Sequence, residues 1–293
     1  MLKLEHVSKT YKVGAFGGGE LQAVCDVTFA VEAGEVVSLI GESGSGKTTI
    51  GRMILRLSPI TAGRISFDGT DVSTLRRGRL KEYYRQVQGV FQDPFSSCNP
   101  IFKADRIFAL IKDEFFPTVG SEEWRHRLAA SLEAVSLNPA DVLGKYPHQL
   151  SGGQLQRLLV ARALLLDIKI LVADEIISML DASTRIDVLN LLGDLKQRGL
   201  GIVFITHDLS LGNYISDKTI ILRHGTVVEM GATEKVFGDP RHPYTRSLLA
   251  SVAHLHAKWA PDESGRALNG RPAATGSAPA LVAVSDDHLV ALH

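Results

Sequence analysis

The stretch VVSLIGESGSGKTTI, residues 36–50, decides the fold of this chain. Its opening apolar run, Val36–Ile40, predicts a short buried strand. The residues that follow, Gly41–Thr48, match the pattern G-x-x-x-x-G-K-[ST] between a strand and a helix. Apolar residues then recur with the i, i+3, i+4, i+7 spacing of a helix with one buried face, at Ile50, Met53, Ile54 and Leu57. The stretch therefore predicts a strand, a phosphate-binding loop and a helix.

The loop has the chemistry that a nucleoside triphosphate needs. Its glycines let the backbone curl so that successive N–H groups point at phosphate oxygens, and the helix N-terminus adds partial positive charge. Lys47 would reach the β- and γ-phosphates, and the Thr48 hydroxyl would bind Mg²⁺. An ordinary glycine-rich turn before a helix does not require the full pattern. The predicted nucleotide-binding set is Gly41, Ser43, Gly44, Ser45, Gly46, Lys47, Thr48 and Thr49.

A second apolar run, Ile170–Ala173, leads directly into two acids. A buried strand ending in Asp174 and Glu175 places carboxylates at the carboxyl edge of a parallel sheet, where ligands bind. Asp174 would hold Mg²⁺, and Glu175 would act as the general base that polarises the attacking water. Without the upstream phosphate loop, the pair could equally cap the next helix.

The segment LSGGQLQR, residues 150–157, begins another helix. Ser151 and Gln154 form the S-x-x-Q pattern of a capping box, which explains the serine and the glutamine. Two adjacent glycines lower helix stability, so capping does not explain them. They suit a helix end that a phosphate approaches closely.

This segment is similar to the signature motif of ABC ATPases, and it lies between a phosphate loop and an acid pair, as in that family. The resemblance covers residues 1 to about 250. It implies that Tyr11 stacks on adenine, that Gln92 senses Mg²⁺ and the membrane subunit, that Asp181, in the D-loop, belongs to the nucleotide-binding set, and that His207 contacts the γ-phosphate. Three of these residues also have a plainer interpretation: strand packing for Tyr11, a loop position for Gln92 and a helix cap for His207.

The resemblance also implies a mechanism. Two such subunits would face each other head to tail, each binding ATP and Mg²⁺ at its phosphate loop. Ser151, Gly153 and Gln154 of one subunit would cover the nucleotide of the other. The partner subunit is either identical or a sister ATPase. Hydrolysis would then open the dimer and move the membrane subunits between two states.

Two features resemble one branch of the family. The segment His242–Thr245, HPYT, is similar to the one that follows the ATPase core in oligopeptide and dipeptide importers. GRMILRL (51–57) and FQDP (91–94) resemble the second ATPase of these systems. This implies a subunit at the cytoplasmic face of the membrane, with permease subunits and an extracytoplasmic solute-binding protein. The solute stays open among peptides, oligosaccharides and nickel.

The sequence departs from the family pattern at two places. Ile176 and Ile177 replace the usual proline and threonine after the acid pair, which removes a rigid φ constraint beside Glu175. Because Glu175 itself is present, we still predict hydrolysis. The segment 279–293 resembles the end of the family's tail but has no cysteine, and Leu292 stands where one is expected. An iron–sulfur cluster is therefore not predicted.

Composition limits the alternatives. The chain has 293 residues and equal numbers of basic and acidic residues, 32 each, so it lacks the charge excess typical of nucleic-acid binding. The basic run 76–85 suits an exposed helix. Two cysteines fit a reducing compartment, and there is no apolar signal region and no run of about 18 apolar residues. A DNA-repair or translation ATPase would need a long coiled coil or a second ATPase core, and the HPYT segment disfavours an exporter.

The predicted fold is α/β: a RecA-like P-loop NTPase core with a parallel sheet, an inserted helical subdomain and an N-terminal antiparallel β region. Apolar runs predict its remaining strands, at 202–205, 219–222 and 227–230. The glycine-rich segment 14–20 predicts a flexible turn, and 260–280 a loose tail of unknown role. The predicted limits are 1–92 and 166–240 for the core, 93–165 for the helical subdomain and 241–293 for the C-terminal extension.

Overall fold

A computed structural model describes residues 1–13, 19–253 and 278–291. Most of the predicted turn at 14–20 and of the predicted tail at 260–280, and Leu292, lie outside these described residues. The strands are β1 Leu2–Val13, β2 Gly19–Val31, β3 Val36–Ile40, β4 Ala62–Phe67, β5 Thr70–Asp71, β6 Val87–Val90, β7 Ile170–Asp174, β8 Gly201–Thr206, β9 Lys218–Arg223, β10 Thr226–Ala232, β11 Leu281–Ser285 and β12 His288–Ala291. The α-helices are α1 Lys47–Ile54, α2 Arg77–Gln86, α3 Arg106–Phe115, α4 Ser121–Glu133, α5 Pro139–Val142, α6 Gly152–Leu164, α7 Ala182–Gln197, α8 Leu209–Ile215, α9 Thr233–Gly238 and α10 Pro243–Ala253.

The chain divides into two compact units. The first unit comprises 1–74 and 203–293, and the second comprises 75–202. The boundaries of these units are not those of the predicted domains, whose limits stay a prediction.

The first unit contains an antiparallel sheet in the order β2-β1-β4-β5. Strand β1 pairs with β2 and with β4, so that Leu2 faces Val31 on one side and Phe67 on the other. Leu2 and Leu4 are buried, whereas the alternate residues are not, which is the period-two pattern of a sheet with one covered face. The predicted N-terminal antiparallel region is confirmed.

The other strands of the first unit follow the order β11-β12-β10-β9-β3-β8. Strands β3 and β9 are parallel, and β10 is antiparallel to both β9 and β12. The five residues of β3 are buried, because a strand in the middle of such a sheet is covered on both faces. The strands predicted at 36–40, 219–222 and 227–230 are confirmed.

The hairpin β11–β12 was not predicted, although its signal is present. Two runs rich in valine and leucine flank Asp286 and Asp287, and Asp287 adopts a left-handed φ of +57°. Aspartate tolerates that conformation in turns better than most residues do. The hairpin adds two antiparallel strands to the edge of β10.

Helix α1 is shorter than its apolar spacing predicts. It ends at Ile54, and Leu57, which was predicted to lie on its buried face, is 60% exposed. The reason is a turn at Arg56, whose φ is +57°, followed by a hydrogen bond from Leu57 N–H to Arg52 O at 2.9 Å. This turn carries Leu57 away from the helix face.

The second unit contains the parallel pair β6 and β7, with Val87 opposite Ile170 and Val90 opposite Ala173. Most of its other residues are helical, and α6 packs against α3, α4, α7 and β6. The basic run lies on α2 and is largely exposed, as predicted. In the part of the chain that the structure describes, no helix has the length and apolar character to cross a bilayer.

Candidate functional site

The phosphate loop follows β3 and leads into α1, in the first unit. Gly46 is the N-cap of α1 with a left-handed φ of +102°, and a Cβ there would lie 2.6 Å from Ala23 O. A Cβ on Gly41 would lie 2.2 Å from Leu222 O. Both positions therefore require glycine. Gly46 is needed for its left-handed backbone conformation, and Gly41 is needed for close packing against β9.

Lys47 is buried at the first position of α1 and turns back over the loop. Its Nζ donates to Gly41 O at 2.6 Å, to Glu42 O at 2.8 Å and more weakly to Ser45 Oγ at 3.4 Å. The loop is also fixed from outside, because Gly225 N–H donates to Ser45 O at 3.0 Å. A buried ammonium group at the positive end of a helix makes this loop suited to an anion.

The other loop residues differ in exposure. Ser43 and Gly44 are exposed, whereas Ser45 is buried and Thr48 and Thr49 are half-buried. The exposed part of the loop and the buried lysine therefore lie within one short segment. Ser43 and Gly44 are therefore accessible from solvent, while the ammonium group of Lys47 beside them is desolvated.

Tyr11 lies on β1 and is half-buried. Its hydroxyl is 3.4 Å from Ser58 Oγ, and the Nζ of Lys9 lies 4.7 Å from the centroid of its ring. Lys9 is 7% exposed and was not identified from the sequence. The cation polarises one face of the ring and supports its orientation.

His207 follows β8 and is exposed. The neighbouring Asp208, not His207, is the N-cap of α8: its carboxylate accepts from Ser210 N–H at 2.9 Å and Leu211 N–H at 3.3 Å. The plainer interpretation of His207 as a helix cap is therefore wrong.

In the second unit, Asp174 is the last residue of β7 and is 5% exposed. Glu175 follows with φ +50°, a left-handed conformation that costs a residue with a Cβ roughly 1–2 kcal/mol. The turn is held by Ser178, which donates to Glu175 O from its N–H at 3.1 Å and from its Oγ at 2.9 Å. Strain of this kind concentrates at functional positions.

The two isoleucines that follow are almost fully buried, at 1% exposure for Ile176 and 2% for Ile177. Burying two large apolar side chains supplies packing energy where the family's proline supplies backbone rigidity. Ile176 and Ile177, which replace the family's proline and threonine, therefore have a structural role in the second unit.

The predicted capping box at α6 is confirmed. Ser151 Oγ accepts from Gln154 N–H at 3.1 Å, and Gln154 Oε1 accepts from Ser151 N–H at 2.9 Å. A Cβ on Gly153 would lie 2.3 Å from Thr184 Cγ2, whereas one on Gly152 would meet its nearest neighbour at an ordinary 3.5 Å. Close packing of α6 against α7 thus explains Gly153 without any phosphate.

Thr184 links this helix to Asp181, the N-cap of α7. The Asp181 carboxylate accepts from Thr184 N–H at 3.0 Å, from Thr184 Oγ1 at 2.8 Å and from Ser183 Oγ at 2.6 Å. The Ser183 hydroxyl and the two Thr184 donors hold the pKa of Asp181 well below its usual range. Sequence reasoning missed Thr184, because nothing local marks its contact with Gly153.

Gln92 is exposed and follows β6, and two side chains of α6 hold the backbone just before it. Arg162 donates to Gly89 O at 2.9 Å and to Gln88 Oε1 at 3.3 Å, and Gln156 Nε2 is 3.5 Å from Phe91 O. Burial lowers the pKa of the Arg162 guanidinium. These contacts were also not identified from the sequence.

The predicted site residues therefore fall into two sets. The first unit holds Tyr11, the loop residues Gly41–Thr49 and His207. The second unit holds Gln92, Ser151, Gly153, Gln154, Asp174, Glu175 and Asp181.

Comparison with known families gives two matches. Residues 24–178 match the family described as ABC transporter. Residues 228–279 match the family described as oligopeptide/dipeptide transporter, C-terminal region. The second match includes the HPYT segment.

Relatives cover most of the chain. It is 43% identical over 254 residues to a putative peptide import ATP-binding protein of Brucella ovis, covering 86% of this chain and 78% of that protein. It is 41% identical over 253 residues to the oligopeptide transport ATP-binding protein OppF of Streptococcus mutans, covering 86% of this chain and 81% of that protein.

Solved structures are similar as well. The dimeric, post-hydrolysis state of the ATP-binding cassette MJ0796 with ADP and Pi superposes with a TM-score of 0.71 at 30% identity, covering 80% of this chain and 99% of that one. The protein cbiO1 of Clostridium perfringens superposes with a TM-score of 0.70 at 23% identity, covering 87% and 95%, and supports the fold alone.

Proposed function

The chain belongs to the ABC transporter family of ATP-binding subunits, and from this premise we propose that it hydrolyses ATP to power an importer of peptides or related solutes. The observation that carries the proposal is a complete phosphate loop, with buried Lys47, in a chain that also has the C-terminal region of oligopeptide and dipeptide transporters. Relatives named as peptide import and oligopeptide transport proteins support the solute class. They do not favour a role in DNA repair.

In this proposal the first unit binds the nucleotide. The backbone N–H groups of the loop bind the phosphates, and Lys47 reaches phosphate oxygens while it keeps its hydrogen bond to Gly41 O. Tyr11 stacks on adenine, with Lys9 supporting the ring from one face. His207 contacts the γ-phosphate.

The second unit supplies the acid chemistry. Glu175 accepts the proton of the attacking water as a general base, and its strained but well-held backbone fixes the direction of the carboxylate. We assign Thr48, Gln92 and Asp174 to Mg²⁺, because hydroxyl, amide and carboxylate oxygens are the ligands this ion prefers. When bound, Mg²⁺ neutralises phosphate charge. Asp174 fits the assignment as a buried carboxylate at a strand end.

The partners in this proposal are a second ATPase subunit, membrane permeases and an extracytoplasmic solute-binding protein. Ser151, Gly153, Gln154 and Asp181 would face the nucleotide of the second ATPase. The dimeric cassette among the similar structures supports such a pairing. A sister ATPase is the partner we propose, and the permeases would hold the chain at the cytoplasmic face of the membrane.

The test compares ATP hydrolysis by the purified chain and by Glu175→Gln over a range of protein concentrations. We expect the wild-type rate per subunit to rise with concentration, because two subunits complete each site. Loss of the general base should lower the rate by about 10²–10⁴-fold while ATP binding persists. Glu122→Gln, at an exposed position of α4, is the matched control and should behave as wild type.

A wild-type chain that binds no ATP would contradict the proposal outright. A chain that binds ATP but stays inactive at every concentration would mean that the sister ATPase and permeases complete the site. Uptake of peptide, oligosaccharide or nickel by the reconstituted complex then identifies the solute.

A further inference from the structure

The HPYT segment reaches the phosphate loop. The Tyr244 hydroxyl accepts a hydrogen bond from the backbone N–H of Glu42, the second residue of the loop, at 3.3 Å. Tyr244 follows Glu42 by 202 residues, so nothing in the loop motif predicts this contact. Both residues belong to the first unit.

The bond acts on one particular peptide group. The N–H of Glu42 and the C=O of Gly41 belong to the same planar unit. Its carbonyl oxygen accepts from Lys47 Nζ at 2.6 Å, and its N–H donates to Tyr244. Because the unit is planar and trans, fixing the N–H at one end also fixes the direction of the carbonyl that meets the lysine.

Tyr244 is itself held firmly. Its own N–H donates to His242 Nδ1 at 3.0 Å, and the Arg223 guanidinium lies 5.0 Å from the centre of its ring. The ring packs against an apolar cluster formed by Ile40, Leu209, Ile221, Val228 and Val236. The hydroxyl is therefore presented to the loop from a fixed position.

The hydroxyl also keeps its proton at neutral pH. Burial is the main reason that the pKa of Tyr244 is raised above its ordinary value, and the neighbouring Glu42 carboxylate adds to the effect. A neutral hydroxyl accepts from Glu42 N–H without adding a negative charge beside a phosphate site.

The HPYT segment and the residue before it are also hydrogen-bonded to strand β10. The Glu229 carboxylate on β10 accepts from Arg241 N–H at 2.8 Å and from His242 N–H at 3.0 Å, and its side chain is fully buried. These bonds fix the residues just before Tyr244. Hydrogen bonds thus run without a break from β10 through His242 and Tyr244 to the phosphate loop.

We propose that Tyr244 is a positioning residue of the nucleotide site, which fixes the Gly41–Glu42 peptide and, through its carbonyl, the ammonium group of Lys47. This inference rests on the proposed function of the loop. Without the hydroxyl, the loop has to be ordered at the moment the nucleotide binds, which lowers affinity. Substrate and transition state lose this support equally, so KM rises and kcat does not change.

Tyr244→Phe tests this inference, because it removes the hydroxyl and keeps the ring. We expect KM and Kd for MgATP to rise by roughly threefold to tenfold, the range that one neutral hydrogen bond supplies. The kcat should stay within about twofold of wild type. Tyr214→Phe, at a 61% exposed tyrosine on α8, is the matched control.

Two further measurements separate positioning from loss of structure. The thermal unfolding midpoint of the nucleotide-free variant should match that of Tyr214→Phe. Hydrogen exchange of the Glu42 amide should be faster in Tyr244→Phe than in either other protein, because that amide has lost its acceptor.

The outcomes distinguish the two proposals. A wild-type chain that binds no nucleotide would overturn the proposed function and this inference with it. A wild-type chain that binds ATP, beside a Tyr244→Phe variant with unchanged KM, Kd and Glu42 exchange, would overturn this inference alone. A lower kcat at unchanged KM would also overturn it, since that pattern belongs to a group acting only in the transition state.

Discussion

At the scale of single residues, the most informative contact joins Gly153 to Thr184. The threonine cannot easily turn away, because its Oγ1 is held by Asp181 at 2.8 Å. Its Cγ2 methyl therefore occupies the space that a side chain at position 153 would need. Gly153 and Asp181, taken from the sequence as separate nucleotide contacts, are coupled through one side chain.

Gly153→Ala should lower the free energy of unfolding by about 1–3 kcal/mol, the usual cost of overpacking. Urea denaturation of the nucleotide-free chain measures it. Gly152→Ala is the control: its Cβ has an ordinary 3.5 Å contact, so the change should be neutral or stabilising by up to about 1 kcal/mol.

Thr184→Ser provides the matched rescue, because it deletes the methyl and keeps the hydroxyl that bonds Asp181. In the double variant Gly153→Ala/Thr184→Ser, most of the free energy of unfolding that Gly153→Ala loses should return. If Gly153→Ala alone is as stable as wild type, the packing explanation of this glycine is wrong.

Residue-level prediction succeeded where a short pattern carries the chemistry. The loop glycines, Lys47 and the capping box could be read locally, because the residues that act together are adjacent in sequence. The contacts of Tyr244, Thr184 and Arg162 could not, because each joins segments far apart in the chain. The left-handed φ of Glu175 has no sequence signal either. The roles assigned to the site residues stay predictions.

At the scale of elements, the hairpin β11–β12 is attached to β10 by a buried pair. His288 Nε2 lies 2.8 Å from Glu229 Oε1, with side-chain exposures of 3% and 0%. A Cβ on Gly231 would lie 2.2 Å from Asp287 O, so the turn of the hairpin also packs closely on β10. The docking of the hairpin thus depends on a few specific contacts.

His288→Ala should weaken this docking by about 1.5–3 kcal/mol, the range for a hydrogen bond to a carboxylate, because Glu229 stays buried with one partner fewer. Hydrogen exchange of the β12 amides measures the local loss. His126→Ala, at an exposed position of α4, is the control and should change nothing. Unchanged β12 exchange in His288→Ala would show that strand pairing alone holds the hairpin.

Whether a helix or strand was predicted correctly depended on the length of the apolar pattern that marks it. Strands β3, β7, β9 and β10 are rich in Val, Ile, Leu and Met and were predicted within a residue or two. The predicted end of α1 was wrong, because the chain turns at Arg56 although the helical spacing of apolar residues continues to Leu57. The hairpin was missed because its two apolar runs are only five and four residues long, and because they gain meaning only from the edge of β10 that β12 covers.

At the scale of the whole molecule, the residues on the protein surface, and not those of the core, indicate which partners the protein binds. The net charge is zero, so long-range charge gives no preference for nucleic acid. Large apolar side chains are nevertheless exposed in the segment after Gln92: Phe95 at 45%, Ile101 at 78% and Phe102 at 42%. An apolar group of this kind is typical of a surface that another protein covers.

We expect Ile101→Glu to abolish copurification with the permease subunits, because a charge would have to be buried in the contact. ATP binding by the isolated chain should stay unchanged. Leu57→Glu is the control: Leu57 is comparably exposed, at 60%, but lies in the other unit. Loss of permease binding in both variants, or in neither, would contradict a specific role for this segment.

The sequence of one chain predicts the fold class and the family, because both depend on residues within it. It does not identify the solute, which the permeases and the binding protein proposed above would recognise. It also does not decide between an identical subunit and a sister ATPase, because that choice depends on a surface of another chain.

The attachment of β12 to β10 has a consequence for protein synthesis. The ribosome completes β10 at Ala232 and reaches β12 only at His288, an interval of about 3 to 11 seconds at typical elongation rates. During that interval β12 is not yet available to pair with β10, and the Glu229 carboxylate lacks His288. The nascent chain therefore presents an open strand edge before the hairpin closes it, and this is the stage at which two unfinished copies would pair wrongly.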